Sequence, residues 1–118
     1  MATGALFIGW GAGVPGRERQ ALQIFNEGMQ YWSGLQQRGE IESFEPVLLE
    51  PHGGDLYGFV LIKGDQEKLA RLRTDQEFQR INQRAGLVVQ NLGVVGANFG
   101  EELQRLFGVF EQQLGDVL

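Results

Sequence analysis

The one histidine of this chain, His52, stands between two carboxylates in Glu50-Pro-His-Gly-Gly-Asp55, and Tyr57 follows two residues after Asp55. Imidazole is the only side chain that changes charge near neutral pH without help from its surroundings, so His52 and the Tyr57 hydroxyl are the candidate catalytic groups for moving a proton. The same segment reads as a hairpin tip, because Gly53-Gly54 supplies positive φ between two apolar runs. One histidine and two carboxylates in a tight turn are a weak metal signal. The absence of cysteine excludes disulfides, thiolate zinc sites, cluster ligation and cysteine nucleophiles. The expectation is a protein with no metal and no cofactor.

Trp10, Phe59 and Asn91 are the candidate substrate-binding residues. The first two are aromatic and, with Tyr57, lie on apolar runs; such side chains with a few polar groups make a small-molecule site. They also suit ordinary core packing, and parity alone does not say which sheet face Trp10 or Tyr57 occupies. Gly11-Ala-Gly13-Val-Pro-Gly16 spells a dinucleotide fingerprint, with Glu50 available as its acidic partner. That fingerprint needs a parallel βαβ unit, whereas the chain turns straight back after Glu50, so the glycines read as a strand exit with Pro15 starting a helix. Glu40, Glu42 and Glu50 read as charges protecting an edge strand, and Lys68, Arg71, Arg73, Arg80 and Arg84 as a solvated helix surface. Ser33 and Ser43 lack a nucleophile elbow.

The elements that must position these residues follow from hydrophobic spacing. Ala5–Val14 is apolar on both alternating faces and reads as a central strand. From Arg17, Ala21, Leu22, Phe25, Met29, Trp32 and Leu35 recur at helical spacing until Gly39. Ile41–Glu50 is a second strand whose Pro46 cannot donate a ladder bond and belongs at an edge. Leu56–Lys63 is a third strand, antiparallel to it. Asp65 and then Thr74-Asp75-Gln76-Glu77 are two helix starts, predicting a broken helix that carries Leu69, Leu72, Phe78, Ile81 and Ala85 inward and ends at Gly86. Leu87 to about Val95 is a fourth strand. A C-terminal helix over 101–115 places Leu103, Leu106, Phe107, Phe110 and Leu114 on one stripe. The order is βαββαβ, an α+β ferredoxin-like fold with a four-stranded antiparallel sheet in order 4-1-3-2, plus that final helix.

A length of 118 residues suits one domain over 1–118, with its core in 5–99. Fifteen acidic against ten basic residues give a formal charge of −5, which repels nucleic acid and anionic membrane surfaces. No run approaches the roughly 18 apolar residues of a membrane span, so a soluble cytoplasmic protein is expected.

Across Asp55-Leu-Tyr-Gly-Phe-Val-Leu-Ile-Lys-Gly-Asp-Gln-Glu-Lys-Leu69 and Thr74-Asp75-Gln-Glu-Phe78, a third strand passes directly into a broken helix. In this the chain resembles the dimeric α/β-barrel superfamily of antibiotic-biosynthesis-monooxygenase-like, EthD-like and YCII-like proteins. The resemblance covers roughly residues 5 to 99 and is one of pattern, not of a diagnostic motif. It implies a homodimer in which two sheets pack face to face, and a pocket for a small hydrophobic or aromatic molecule. It further implies cofactor-independent oxidation or isomerisation as the chemistry, with Trp10 and Asn91 offering the residue types that related oxygenases place near substrate. The YCII His-Asp pair and the helix-borne histidine of haem-degrading members have no match here. A non-enzymatic binding or interaction module is the alternative.

Overall fold

The computed structural model describes residues 1–117. Its elements are β1 (Gly4–Trp10), α1 (Glu18–Gln37), β2 (Ser43–Leu48), β3 (Gly58–Gly64), α2 (Gln66–Leu72), α3 (Gln76–Gly86), β4 (Gly93–Ala97) and α4 (Gly100–Val117). The four strands form one antiparallel sheet in the order β2-β3-β1-β4. This is the ferredoxin-like arrangement, with its second helix in two pieces. Pro46 lies in edge strand β2, opposite Val60. Leu49 N–H, three residues on, donates to the Tyr57 carbonyl at 2.9 Å. Alternation along the strand therefore turns the Pro46 nitrogen away from β3, where no ladder donor is required.

One face of the sheet is the core. Leu6 and Ile8 of β1 and Val60 and Ile62 of β3 meet Trp32 and Leu35 of α1, Leu69 and Leu72 of α2 and Phe78 of α3. The α1 stripe is rotated from the expected one: Ile24, Gly28, Trp32 and Leu35 are buried, whereas Leu22 is 63% exposed. The cause is local, because the Trp32 ring lies over Gly28 at a distance that a larger residue would obstruct. The helix ends in a Schellman turn, with Gly39 at φ 75°, Gly39 N–H donating to the Gln36 carbonyl and Glu40 N–H to that of Leu35.

The break between α2 and α3 has a clear origin in side-chain capping. Asp65 accepts from Lys68 N–H, and Asp75 accepts from Glu77 and Phe78 N–H. Thr74 donates back to the Arg71 carbonyl at 2.8 Å, closing α2, and Glu77 is paired with Arg80 at 2.6 Å instead of completing a capping box. The expected fourth strand is also divided. Asn91 takes a left-handed φ of 57°, so regular β4 starts at Gly93, while Val89 pairs with Gly13 beyond the end of β1.

Two cross-strand pairs at one end of the sheet set the positions of its aromatic rings. Gly9 faces Phe59 and Trp10 faces Gly58. A Cβ on Gly58 would stand 2.7 Å from the Trp10 ring and 2.8 Å from the Val47 carbonyl oxygen. A Cβ on Gly9 would meet the far edge of the Phe7 ring at 2.6 Å. The Gly9 clash is with a side chain that can turn; the Gly58 clash includes backbone. Gly58→Ala is therefore expected to lower unfolding stability by about 1–3 kcal/mol, and Gly9→Ala by less, in urea titrations of the two variants. Equal losses would contradict this account.

Candidate functional site

The second face of the sheet is not covered by any helix of its own core. Strand alternation places Ala5, Phe7 and Gly9, Phe59, Leu61 and Lys63, and Val47 and Val95 there. Phe7 and Phe59 stack with centroids 5.0 Å apart and planes at 27°. Phe7 reaches across the Cβ-less Gly9 to do so. Beyond β4 the chain crosses this face, where Lys63 Nζ lies 4.6 Å from the centre of the Phe99 ring. Phe7, Phe59, Leu61 and Val47 are half-buried and Val95 is 53% exposed, while Ser43 and the exposed Glu45, opposite Lys63 and Leu61, give the β2 edge of this face a polar margin.

At the rim where β2 ends and β3 begins, residues Leu49 to Tyr57 surround a concavity of about 360 Å³. Leu56, which lines the concavity, reaches Gly9 on the open face, where the Phe7 ring also lies, so the concavity opens beside the Phe7–Phe59 stack. Tyr57 is held by its backbone: its N–H donates to the Trp10 carbonyl and its carbonyl accepts from Leu49. Its side chain is 51% exposed and, among the described residues, its hydroxyl has no protein partner. His52 is tied down at both ring nitrogens, with Nε2 2.8 Å from the Leu56 carbonyl and Gly54 N–H donating to Nδ1 at 3.2 Å. With Gly54 N–H donating to Nδ1, Nε2 is the nitrogen that donates to the Leu56 carbonyl, and the two bonds shape the Gly53–Gly54 turn.

The five candidates gather at this end of the sheet, but on two faces. Trp10 alternates with Phe7 and Gly9 onto the helix side, where it meets Phe25 of α1 edge-on at 6.1 Å. Asn91 is exposed and lies beside Gly11, one residue beyond Trp10. Phe59 is on the opposite side, and His52 and Tyr57 lie at the rim where β2 turns into β3. The Gly11–Gly16 segment does not enter a parallel βαβ unit, since β1 has only antiparallel neighbours, β3 and β4. Among the described residues no three His, Asp or Glu side chains form a group that could hold a metal ion, and no helix is long and apolar enough to cross a membrane.

Sequence reasoning passed over Tyr31. It lines a polar cleft of about 550 Å³ with Arg38, Glu40, Lys68, Arg71 and Asp75, and its hydroxyl donates to Asp75 Oδ2 at 3.4 Å. Partial burial and then the Asp75 carboxylate push the phenol above its ordinary range. The signal was available in the i, i+4 spacing of Tyr31 and Leu35. The basic residues of α2 and α3 are in part committed: Arg84 pairs with Glu27 at 3.1 Å and Arg80 with Glu77.

No family model matches the chain, and no curated protein matches it in sequence. Its fold is similar to solved structures. One is a dimeric protein of unknown function and ferredoxin-like fold from Bacteroides fragilis NCTC 9343, 13% identical, covering 81% of this chain and 96% of its own, with a TM-score of 0.59. Another is a dimeric ferredoxin-like protein of unknown function from Jannaschia sp. CCS1, 14% identical, covering 82% and 98%, with a TM-score of 0.58. A third is a candidate antibiotic biosynthesis monooxygenase from Chloroflexus aurantiacus J-10-fl, 15% identical, covering 83% and 95%, with a TM-score of 0.51. At these identities the likeness establishes the ferredoxin-like fold.

The Tyr31–Asp75 contact gives a pH signature. A phenol whose folded pKa is raised above the unfolded value near 10 keeps its proton while the unfolded chain loses its own. Its contribution is intact below pH 10 and declines as pH rises from there. Urea midpoints measured upward from pH 10 are expected to fall more steeply for the wild type than for Tyr31→Phe; parallel curves would contradict the contact.

Proposed function

We propose that this protein is a homodimer, joined through the open faces of its sheets, that binds a small hydrophobic or aromatic molecule at the rim beside each Phe7–Phe59 stack. The observation that carries this is the apolar face itself, on which Phe7, Phe59, Leu61 and Val95 lack a covering layer within the subunit. A monomer leaving such a face in water would forgo about 25 cal/mol for each Å² of apolar surface that a partner could bury. The dimeric state of two proteins of the same fold supports the arrangement. A cytoplasmic setting fits the lack of cysteine.

The concavity of about 360 Å³ is within the size range of small-molecule sites, roughly 300–1,000 Å³. In the bound state Leu49 and Leu56 supply apolar walls, with Phe59 beyond them on the open face, and Tyr57 supplies a hydroxyl that donates to or accepts from the ligand, while His52 holds the turn that forms the far wall. Trp10 is engaged with Phe25 on the other side of the sheet and is assigned to packing, and Asn91 to the turn before β4. Tyr57 also supports catalysis as a second reading. A hydroxyl without a protein partner at the mouth of an apolar concavity is suited to proton transfer in cofactor-independent oxidation or isomerisation, with His52 as the alternative proton carrier once its turn opens. The candidate antibiotic biosynthesis monooxygenase of the same fold is a precedent for oxidation on such a scaffold, at the level of fold.

Two measurements test the proposal. Native mass spectrometry of gently purified protein is expected to give a dimer, and Phe59→Asp to raise its dissociation constant at least about thirtyfold, as loss of an interface anchor does. A monomeric wild type would overturn the sheet-face dimer. In NMR titrations with 2-naphthol, shifts are expected in residues 49–59, with affinity falling about threefold to tenfold in Tyr57→Phe for one lost hydrogen bond. Shifts confined to other regions would remove the rim as the site.

A further inference from the structure

Helix α4 carries Leu103, Phe107, Phe110, Leu114 and Val117, separated by four, three, four and three residues. This is the alternation of a heptad seam, whose mean repeat of 3.5 keeps an apolar line facing another helix, and Leu106 and Val109 flank it. A helix that covers its own core buries the centre of its apolar stripe. Helix α4 has no buried residue, and its seam positions are 37, 59, 60, 43 and 81% exposed in chain order. It packs closely against no other element. The subunit is correspondingly elongated: its radius of gyration is 16.4 Å, against about 13.5 Å for a compact chain of this length.

We infer that α4 pairs through this seam with α4 of a second copy of the same chain, within the dimer proposed above. Continuity is the first argument. Phe99, immediately before α4, sits against Lys63 on the open sheet face, so the helix starts from the surface at which the two subunits would meet. Area is the second. Four strands at roughly 4.8 Å spacing and 20 Å length present a footprint of about 400 Å², half of the roughly 800 Å² per partner that stable interfaces bury. A helix of 18 residues is about 27 Å long and offers about 270 Å² along one side. Neither surface suffices alone; together they approach the required area. Self-pairing is the third argument, because a two-fold axis gives each seam an identical partner, apolar and of equal length. Glu102 and Arg105, bonded to each other at 2.6 Å, lie off the seam and leave it free of charge.

The inference rests on the homodimer, and the experiment separates the two. Since the chain has no cysteine, Gly108→Cys on α4 takes a single spin label; nothing lies within 4 Å of a Cβ at that position. Paired helices have axes about 8–10 Å apart, so the distance between labels in the dimer is expected to centre at about 25 Å or less. A distribution centred beyond about 35 Å overturns the pairing while leaving the dimer in place. Sedimentation of the double variant Phe107→Asp, Phe110→Asp is expected to show dimer dissociation raised at least about thirtyfold with an unchanged sheet signal in circular dichroism, since α4 buries nothing in its own subunit. Unchanged affinity overturns the pairing. If that variant dissociates while Phe59→Asp remains dimeric, the helix pairing stands and the sheet-face dimer fails; the converse result rejects the pairing and keeps the sheet-face dimer.

Discussion

The contact on which much else depends is the reciprocal pairing of Gly9 with Phe59 and Trp10 with Gly58. Each strand contributes one glycine and one aromatic residue, in opposite order, so the two large rings fall on opposite faces over the two positions that have no Cβ. On the helix side this lets the Trp10 indole lie flat across β3 and reach Phe25. On the open side it lets Phe7 cross Gly9 and stack on Phe59. Cross-strand pairs of this kind stabilise a sheet only in one register, because a slip of one residue would send every ring to the other face. The site at the rim inherits its geometry from that register.

From there the two faces diverge in role. Trp32, Leu35, Leu69 and Phe78 fill the helix side, and Val60 and Ile62 are fully inaccessible. The space between sheet and helices is occupied by protein, and the concavity proposed as the ligand site lies at the hairpin rim, beside the uncovered face. His52 illustrates how the sequence context of a titratable residue is refined by its backbone. Its imidazole suggested proton chemistry, yet both ring nitrogens engage main-chain groups of its own turn.

The order of elements and the break between the Asp65 and Asp75 helix caps were legible in the sequence, since each is encoded by residues near to one another; the strand order and the edge position of Pro46 followed from the ferredoxin-like architecture that this element order implies. The face occupied by Trp10 was not. Apolar residues lie on both sides of β1, so hydrophobicity gives no direction, and the choice is made by the glycine opposite it on β3. The rotation of α1 that exposes Leu22 and buries Ile24 was hidden for a similar reason: apolar side chains occupy more than one helical line, and the fit of Trp32 over Gly28 selects among them. The splitting of the fourth strand at Asn91 escaped because asparagine adopts a left-handed φ only where tertiary contacts require it. Of the candidate residues, His52 and Tyr57 are near one another in the chain and lie at the rim, while the placement of Trp10 and Phe59 on opposite faces needed the three-dimensional register.

The strand order also makes the two edges of the sheet unequal. On β2, Pro46 removes an outward donor and Glu45 adds charge, so a passing extended segment finds an interrupted ladder. On β4 the sequence Gly-Val-Val-Gly-Ala has neither proline nor charge of its own, and what protects it is its five-residue length, the kink at Asn91 and the Arg73 guanidinium that donates to the Val94 carbonyl at 3.3 Å. Any association that proceeds by strand addition is thereby given a direction. It would begin along β4, and the asymmetry would restrict growth to one side of the molecule.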